Sequence, residues 1–219
     1  MKYDIDLIMW DLDGTLLDTK PGIILAIKET LDIMKLHSLT DDELNTFIGP
    51  PFGQSFPKFY GDDKEQLKEF IETFRDIYKN KTFYVAEPFD GIVNTMKTLK
   101  EKGKKQTLCT YKMQSFAEKL MEHYKLDQYL NCIYGSSVEE KITKSDMLIN
   151  SAKYCHIDDM KKTVLVGDTR FDYAAAILAR SNFIAANYGY GDKLFKEADY
   201  GGTLIGHINT AYEIIDYII

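Results

Sequence analysis

Short apolar runs that end in carboxylates, hydroxyls or lysines recur along this 219-residue chain, and they restrict its architecture more than any other feature. Ile5 to Trp10 ends at Asp11-Leu12-Asp13-Gly14. Gln106 to Thr110 leads into Tyr111 and Lys112, and Cys132 to Tyr134 into Gly135 and Ser136, with Lys141 and Lys144 beyond. Thr163 to Val166 ends at Gly167-Asp168, with Asp172 just past it, and Asn182 to Ala186 precedes Tyr188-Gly189-Tyr190-Gly191. Runs this short, closed by turn residues, read as buried strands. Between them lie helical patterns. Ile92, Val93, Met96 and Leu99 follow Asp90, a candidate cap, and stop at Gly103. Gln114 to Tyr124, Ser145 to Tyr154 and Phe171 to Ala179 complete the series. Strands alternating with helices imply a parallel sheet covered on both faces, a doubly wound α/β core.

The stretch from residue 19 to residue 82 breaks this alternation. Pro21 suits the first turn of a helix carrying Ile23, Ile27, Leu31 and Met34. Asp41-Asp42-Glu43 suits a second helix start, where acidic side chains meet the positive end of the dipole. Gly49-Pro50-Pro51-Phe52-Gly53 is a breaker cluster, and Leu67, Phe70, Ile71, Phe74 and Ile77 line one face of a further helix. The expected organisation is therefore a Rossmann-like core over 1–18 and 83–219, with an all-helical domain inserted over 19–82.

Composition narrows the function. A net charge of -7 and a pI of about 5.2 argue against a general nucleic-acid binder, yet leave room for a local positive site. No apolar stretch reaches the roughly 18 residues of a membrane span, and acidic residues interrupt the first apolar run as no signal peptide allows. Cys109, Cys132 and Cys155 are widely spaced and read as buried, reduced thiols, and the four histidines share no ligand-like spacing. These features fit a cytoplasmic enzyme with no nucleic-acid or membrane partner. A monomer is the default, with a dimer left open.

In doubly wound sheets, ligands bind beyond the carboxyl ends of the strands. Those ends collect Asp11, Asp13, Thr110, Lys141 or Lys144, Asp168 and Asp172. Hard carboxylate oxygens suit magnesium, and a lysine with hydroxyl and amide donors suits phosphate. The inventory suits metal-assisted phosphoryl transfer.

Four motifs in order carry a family resemblance. Asp11-Leu12-Asp13-Gly14-Thr15-Leu16-Leu17-Asp18-Thr19, then Thr110, then Lys144 before a helix, then Gly167-Asp168-Thr169-Arg170-Phe171-Asp172 resemble the motifs of the haloacid dehalogenase-like hydrolases. The phosphoglycolate phosphatase-like branch, with its small helical cap, is the most similar part of that family, and Phe47 to Phe52 resembles its cap loop. The resemblance implies a magnesium-dependent phosphatase, phosphoglycolate phosphatase-like or 5'-nucleotidase-like, that hydrolyses a small phosphorylated metabolite. Asp11 would be the nucleophile that becomes an aspartyl-phosphate, and Asp13 the acid and then the base. A more enclosed setting for Asp13 is expected to keep the two apart in protonation. Asp11, Asp13 through its backbone carbonyl, Asp168 and Asp172 would hold the metal, the last directly or through water. Thr110, the backbone after it at Tyr111, and Lys144 would hold phosphate. Lys141 is an alternative to Lys144, which is favoured because it directly precedes the helix. Gly49, Pro50, Pro51 and Phe52 are the candidate specificity loop of a cap that would close over the substrate. Tyr111 departs from the asparagine common at that position. A phosphomutase or a non-catalytic binding protein on the same scaffold are the rival readings.

Overall fold

The computed structural model describes residues 2–48, 52–137, 142–191 and 203–218. In chain order the strands are β1 (Leu7–Trp10), β2 (Leu17–Asp18), β3 (Glu87–Pro88), β4 (Lys105–Met113), β5 (Cys132–Ser136), β6 (Thr163–Gly167), β7 (Asn182–Ala186) and β8 (Leu204–Ile208). The helices are α1 (Lys20–Ile33), α2 (Asp41–Asn45), α3 (Phe52–Ser55), α4 (Pro57–Tyr60), α5 (Lys64–Ile77), α6 (Ile92–Glu101), α7 (Gln114–His123), α8 (Lys144–Tyr154), α9 (Arg170–Ala179) and α10 (Ile214–Ile218). Contacts divide the chain into two units, Met1–Asp18 with Pro88–Ile219, and Thr19–Glu87.

The first unit is built on a six-stranded sheet of order β5-β4-β1-β6-β7-β8, with every pairing parallel. Trp10 sits opposite Leu108 on one side and Val166 on the other, so β1 is central and fully buried. Side chains alternate across the sheet. Leu7 and Met9 join Cys109, Leu165 and Phe183 in a core closed by Met147, Leu148 and Ala152 of α8 and Tyr173 and Ala176 of α9. On the opposite face the Trp10 indole donates to Gln106 Oε1 at 3.1 Å, and Gln106 Nε2 donates to the Met96 carbonyl of α6 at 2.8 Å. The core is thus largely apolar on the α8 face of β1, with the buried Thr107 and Ser151 hydroxyls bonded to each other, and carries the Trp10–Gln106–Met96 chain on the other.

Three elements differ from the sequence reading. β7 is not the last core strand, because β8 adds a further edge strand beside it. Asp90 does not cap α6. The cap is Gly91 at φ 81°, where a Cβ would meet the Tyr212 ring at 2.5 Å, so both conformation and space require glycine. β4 runs past Thr110 to Met113, with its register to β5 shifted between Cys109 and Met113.

Among its described residues the second unit is built of helices, with Glu87 of β3 at its end. Thr40 forms a capping box with Glu43, whose carboxylate accepts from the Thr40 N–H at 2.8 Å, and Asp63 accepts from Glu65 and Gln66 N–H groups to start α5. α1 buries Ala26, Ile27 and Leu31, and α5 buries Phe70, Phe74 and Ile77. Phe47, Phe52, Phe56, Phe70 and Phe74 form an aromatic cluster in its centre, with Phe52 edge-on to Phe74 at 4.6 Å.

The Trp10–Gln106–Met96 chain supplies the fold's most exposed stability test. Gln106→Leu keeps the volume and orphans a buried N–H and a buried carbonyl, which should cost about 2–4 kcal/mol. Urea unfolding monitored by Trp fluorescence reads this directly.

Candidate active site

Asp11 leaves β1 with its N–H still bonded to the Val166 carbonyl at 2.9 Å, which places it at the carboxyl end of the two central strands. The chain then turns tightly. The Leu12 carbonyl accepts from the N–H groups of Thr15, Leu16 and Leu17 at 3.0–3.3 Å. Gly14 has φ 82°, and a Cβ on it would collide with Asp168 Oδ2. The glycine is therefore what allows the Asp11 loop and the Asp168 loop to lie against each other.

Lys144 opens α8. Thr143 and Asp146 form a capping box that fixes where the helix begins, and hence where Lys144 stands. Its side chain is 3% exposed, and its ammonium bonds both Asp11 Oδ1 and Asp172 Oδ1. Asp172 is held from the other side, because its Oδ2 accepts from the Thr169 hydroxyl at 2.6 Å and the Thr169 N–H at 3.0 Å in the cap of α9. Gly167 has no side chain to obstruct it. Asp168 accepts the Tyr190 N–H at 2.7 Å on Oδ2 and faces the Thr15 hydroxyl at 3.5 Å on Oδ1.

The structure brings Asp11, Asp168 and Asp172 together, all buried, with carboxylate oxygens within 4.8 Å of one another. Three carboxylates face one ammonium, and the charge does not balance. Burial pushes the Asp11 carboxyl up to about 7 against the pull of Lys144, and burial with Asp172 and Asp11 nearby pushes Asp168 well above the ordinary range. Burial works against the Lys144 ammonium too, but Asp11 and Asp172 outweigh it and hold its pKa above the usual lysine value. A divalent cation beside Asp11 and Asp168 would remove the imbalance, so the donor set fits one. Both Asp172 oxygens are already engaged, which suits contact through water.

Asp13 corrects an expectation. Its carboxylate lies outside the acidic cluster and is the more open of the pair, at 27% side-chain exposure against 10% for Asp11. The enclosed member is Asp11, because it continues a central strand while Asp13 is already in the turn. Lys112 Nζ lies 2.9 Å from Asp13 Oδ1, a pairing no sequence spacing signals.

Thr110 is buried, and its Oγ1 accepts the Lys112 N–H at 3.2 Å. The Tyr111 hydroxyl accepts the Lys144 N–H at 3.2 Å, and its ring lies 5.9 Å from Nζ, so this departure from the motif braces the lysine. Lys141, Gly49, Pro50 and Pro51 lie outside the described residues, and the Phe52 ring packs within the helical unit's aromatic cluster. Cys109 is buried and its thiol is pushed up to about 12, an inert group, whereas Cys132 is only half-buried, contrary to the reading of all three cysteines as core.

Sequence reasoning underrated Tyr188 to Gly191. Tyr188 donates to the Thr15 carbonyl at 3.0 Å and Tyr190 to Asp18 Oδ1 at 2.7 Å. A Cβ on Gly189 or Gly191 would run into Gly14 or Asp168. Two glycines two residues apart, just past a strand's carboxyl end, are the signal that marks such a loop.

A family model described as haloacid dehalogenase-like hydrolase matches residues 8–186. The chain is 28% identical over 186 residues to a 5'-nucleotidase of Pseudomonas aeruginosa, covering 85% of this chain and 84% of that protein. It is 29% identical over 187 residues to a phosphoglycolate phosphatase of Aquifex aeolicus, covering 84% and 85%. A solved haloacid dehalogenase-like family hydrolase from Streptococcus pneumoniae superposes with a TM-score of 0.86 at 25% identity, over 97% of this chain and 98% of that one.

The charge imbalance predicts a linked dependence on pH and metal. Asp11 has a raised carboxyl pKa, so the stability it contributes is complete below the unfolded value of 3.8 and is lost as pH rises through about 7, and the raised Asp168 carboxyl acts in the same direction. A dication relieves the ionised cluster. Magnesium chloride should therefore raise Tm more at about pH 8 than at about pH 5.5, by about 3 °C or more. Asp168→Asn should remove most of that difference in a differential scanning measurement. Equal gains at both pH values would place the cation elsewhere.

Proposed function

The chain belongs to the haloacid dehalogenase-like hydrolases and is a phosphatase; from that premise we propose that it hydrolyses a small phosphomonoester with magnesium bound, by way of a phosphoryl group carried on Asp11. The observation that supports this most strongly is the buried Asp11–Lys144–Asp172 contact with Asp168 beside it, at the carboxyl end of the central strands. An unreactive structural ion pair would leave the charges balanced. Here an anionic nucleophile, a fixed cation and room for a dication converge on one point.

In the proposed reaction Asp11 attacks phosphorus while Lys144 offsets negative charge on both the carboxylate and the phosphoryl oxygens. The Thr110 hydroxyl and the backbone amide of Tyr111 hold phosphoryl oxygens. Asp11, the Asp13 carbonyl and Asp168, with Asp172 behind, would hold magnesium, which would supply a second positive charge at the phosphoryl group. Asp13 gives its proton to the leaving oxygen. It then takes a proton from the water that attacks phosphorus, releasing phosphate and restoring Asp11. The greater exposure of Asp13 suits a group that must meet both leaving group and water. Bracing of Lys144 by Tyr111 suits a cation that must not follow the substrate out.

The test is a magnesium-dependent phosphate-release screen over phosphoglycolate, nucleoside monophosphates, sugar phosphates and pyrophosphate. Asp11→Asn should lower kcat by about 10³-fold or more on every substrate turned over. Asp13→Asn should lower it by about 10²- to 10⁴-fold, with a smaller loss on p-nitrophenyl phosphate, whose leaving group needs little help from an acid. Release from no member of the panel, or an unaltered rate in Asp11→Asn, overturns the proposal. Phosphate exchange with a sugar bisphosphate in place of release would instead mark a phosphomutase.

A further inference from the structure

Two of the three cysteines meet where α8 packs on the sheet, at the opposite end of that helix from Lys144. Cys132 opens β5 beside Thr107 of β4, so both side chains point to one face. α8 covers that face. The Thr107 and Ser151 hydroxyls are bonded to each other, and the Tyr134 hydroxyl donates to the Asn150 carbonyl at 3.5 Å. Cys155 caps α8 one turn after Ser151, on the same side of the helix, and its sulfur is hydrogen-bonded to that of Cys132. The Lys105 ammonium bonds the Cys155 carbonyl and brings a positive charge to the pair. Cys155 is 4% exposed, whereas Cys132 is half-buried and opens the pair to solvent. The bond from Cys132 holds the Cys155 thiol below its usual pKa, with burial opposing and the Lys105 charge assisting, while the same bond and burial raise Cys132.

We propose that Cys132 and Cys155 form an oxidant-responsive thiol pair, which a peroxide closes into a disulfide between β5 and the end of α8. Both are free thiols in the folded chain, so the bridge is a modification of the finished fold and not part of its framework. The Cys155 sulfur, as thiolate, attacks the peroxide. An S–O bond forms, the O–O bond breaks, and the hydroxide that leaves takes up the Cys155 proton to become water. The Cys132 sulfur then attacks the sulfenic sulfur of Cys155. The S–S bond forms, the S–O bond breaks, and the second water leaves with the Cys132 proton. Two thiols are oxidised to one disulfide, and one hydrogen peroxide is reduced to two waters. Cys109 lies on the same face of the sheet, but it is fully buried with its thiol pushed up, so it takes no part. The bridge tethers the far end of the helix whose first residue is Lys144.

The test exposes the full chain, with magnesium, to hydrogen peroxide. The reaction is quenched with catalase, the protein is alkylated with N-ethylmaleimide in denaturant, and its peptides are mapped by mass spectrometry. The expected product is a peptide pair joined through Cys132 and Cys155, two hydrogens lighter than the reduced pair and restored by dithiothreitol. Cys109 should still be alkylated, its own oxidation slower by about tenfold or more. In Cys132→Ser the reaction stops one step earlier, and dimedone traps Cys155 as the sulfenic acid. Oxidation confined to single cysteines in the wild type, a bridge that includes Cys109, or three intact thiols after the peroxide has consumed added glutathione overturns the proposal. So does a folded Cys132→Ser protein in which Cys155 stays a free thiol. The wild-type map decides without any variant, so a Cys132→Ser protein that fails to fold leaves the test intact.

Discussion

The ammonium of Lys144, buried between Asp11 and Asp172, is the contact on which the rest of the structure depends. Three distant stretches of sequence meet there, each delivered by a local rule. Asp11 comes from the end of a fully buried strand, Lys144 from the first position of a helix fixed by its capping box, and Asp172 from the first turn of another helix. None of the three could be buried alone. An isolated buried charge costs far more than a domain's whole stability margin allows, so each partner's position is conditional on the others. Asp168 then leaves the group short of positive charge, which is why the junction suits a divalent cation.

Geometry around this junction separates two sides. On the side proposed to take the phosphoryl group stand Lys144, Thr110 and the acidic cluster. On the other stand Asp13, partly open to solvent, and the covered Lys112 side chain. The Tyr188–Gly191 loop closes the base of the site, with backbone glycines where side chains would collide with Asp168. The division parallels the two halves of a phosphoryl transfer, a nucleophile whose charge must be offset and a leaving group that must be protonated.

Much of this was legible in sequence because the signals are local. Apolar runs, their polar ends and the helix periods disclose the α/β alternation, and the parallel-sheet rule converts it into a shared edge for Asp11, Thr110, Lys144 and Asp168. What stayed hidden depends on distance through space. β8 is short, glycine-containing and half-buried, so its apolar pattern is weak until β7 pairs with it. Lys112 and Asp13 are 99 residues apart, and the parallel pairing of β1 with β4 sets the ends of their strands side by side. The openness of Asp13 and the enclosure of Asp11 reverse the sequence expectation, since identical side chains two residues apart differ only in which neighbours the fold gives them. Gly91 in place of Asp90 as the cap of α6 follows from Tyr212, a residue far along the chain.

The central claim is that Asp11 carries the phosphoryl group. It is tested most directly by quenching the protein in acid during turnover, reducing with borohydride and sequencing the Asp11 peptide by mass spectrometry. An aspartyl-phosphate at residue 11 is reduced to homoserine, so the account predicts homoserine at that position only when substrate and magnesium were both present. An unaltered aspartate at 11 with homoserine at another aspartate, or with none during sustained phosphate release, would contradict it.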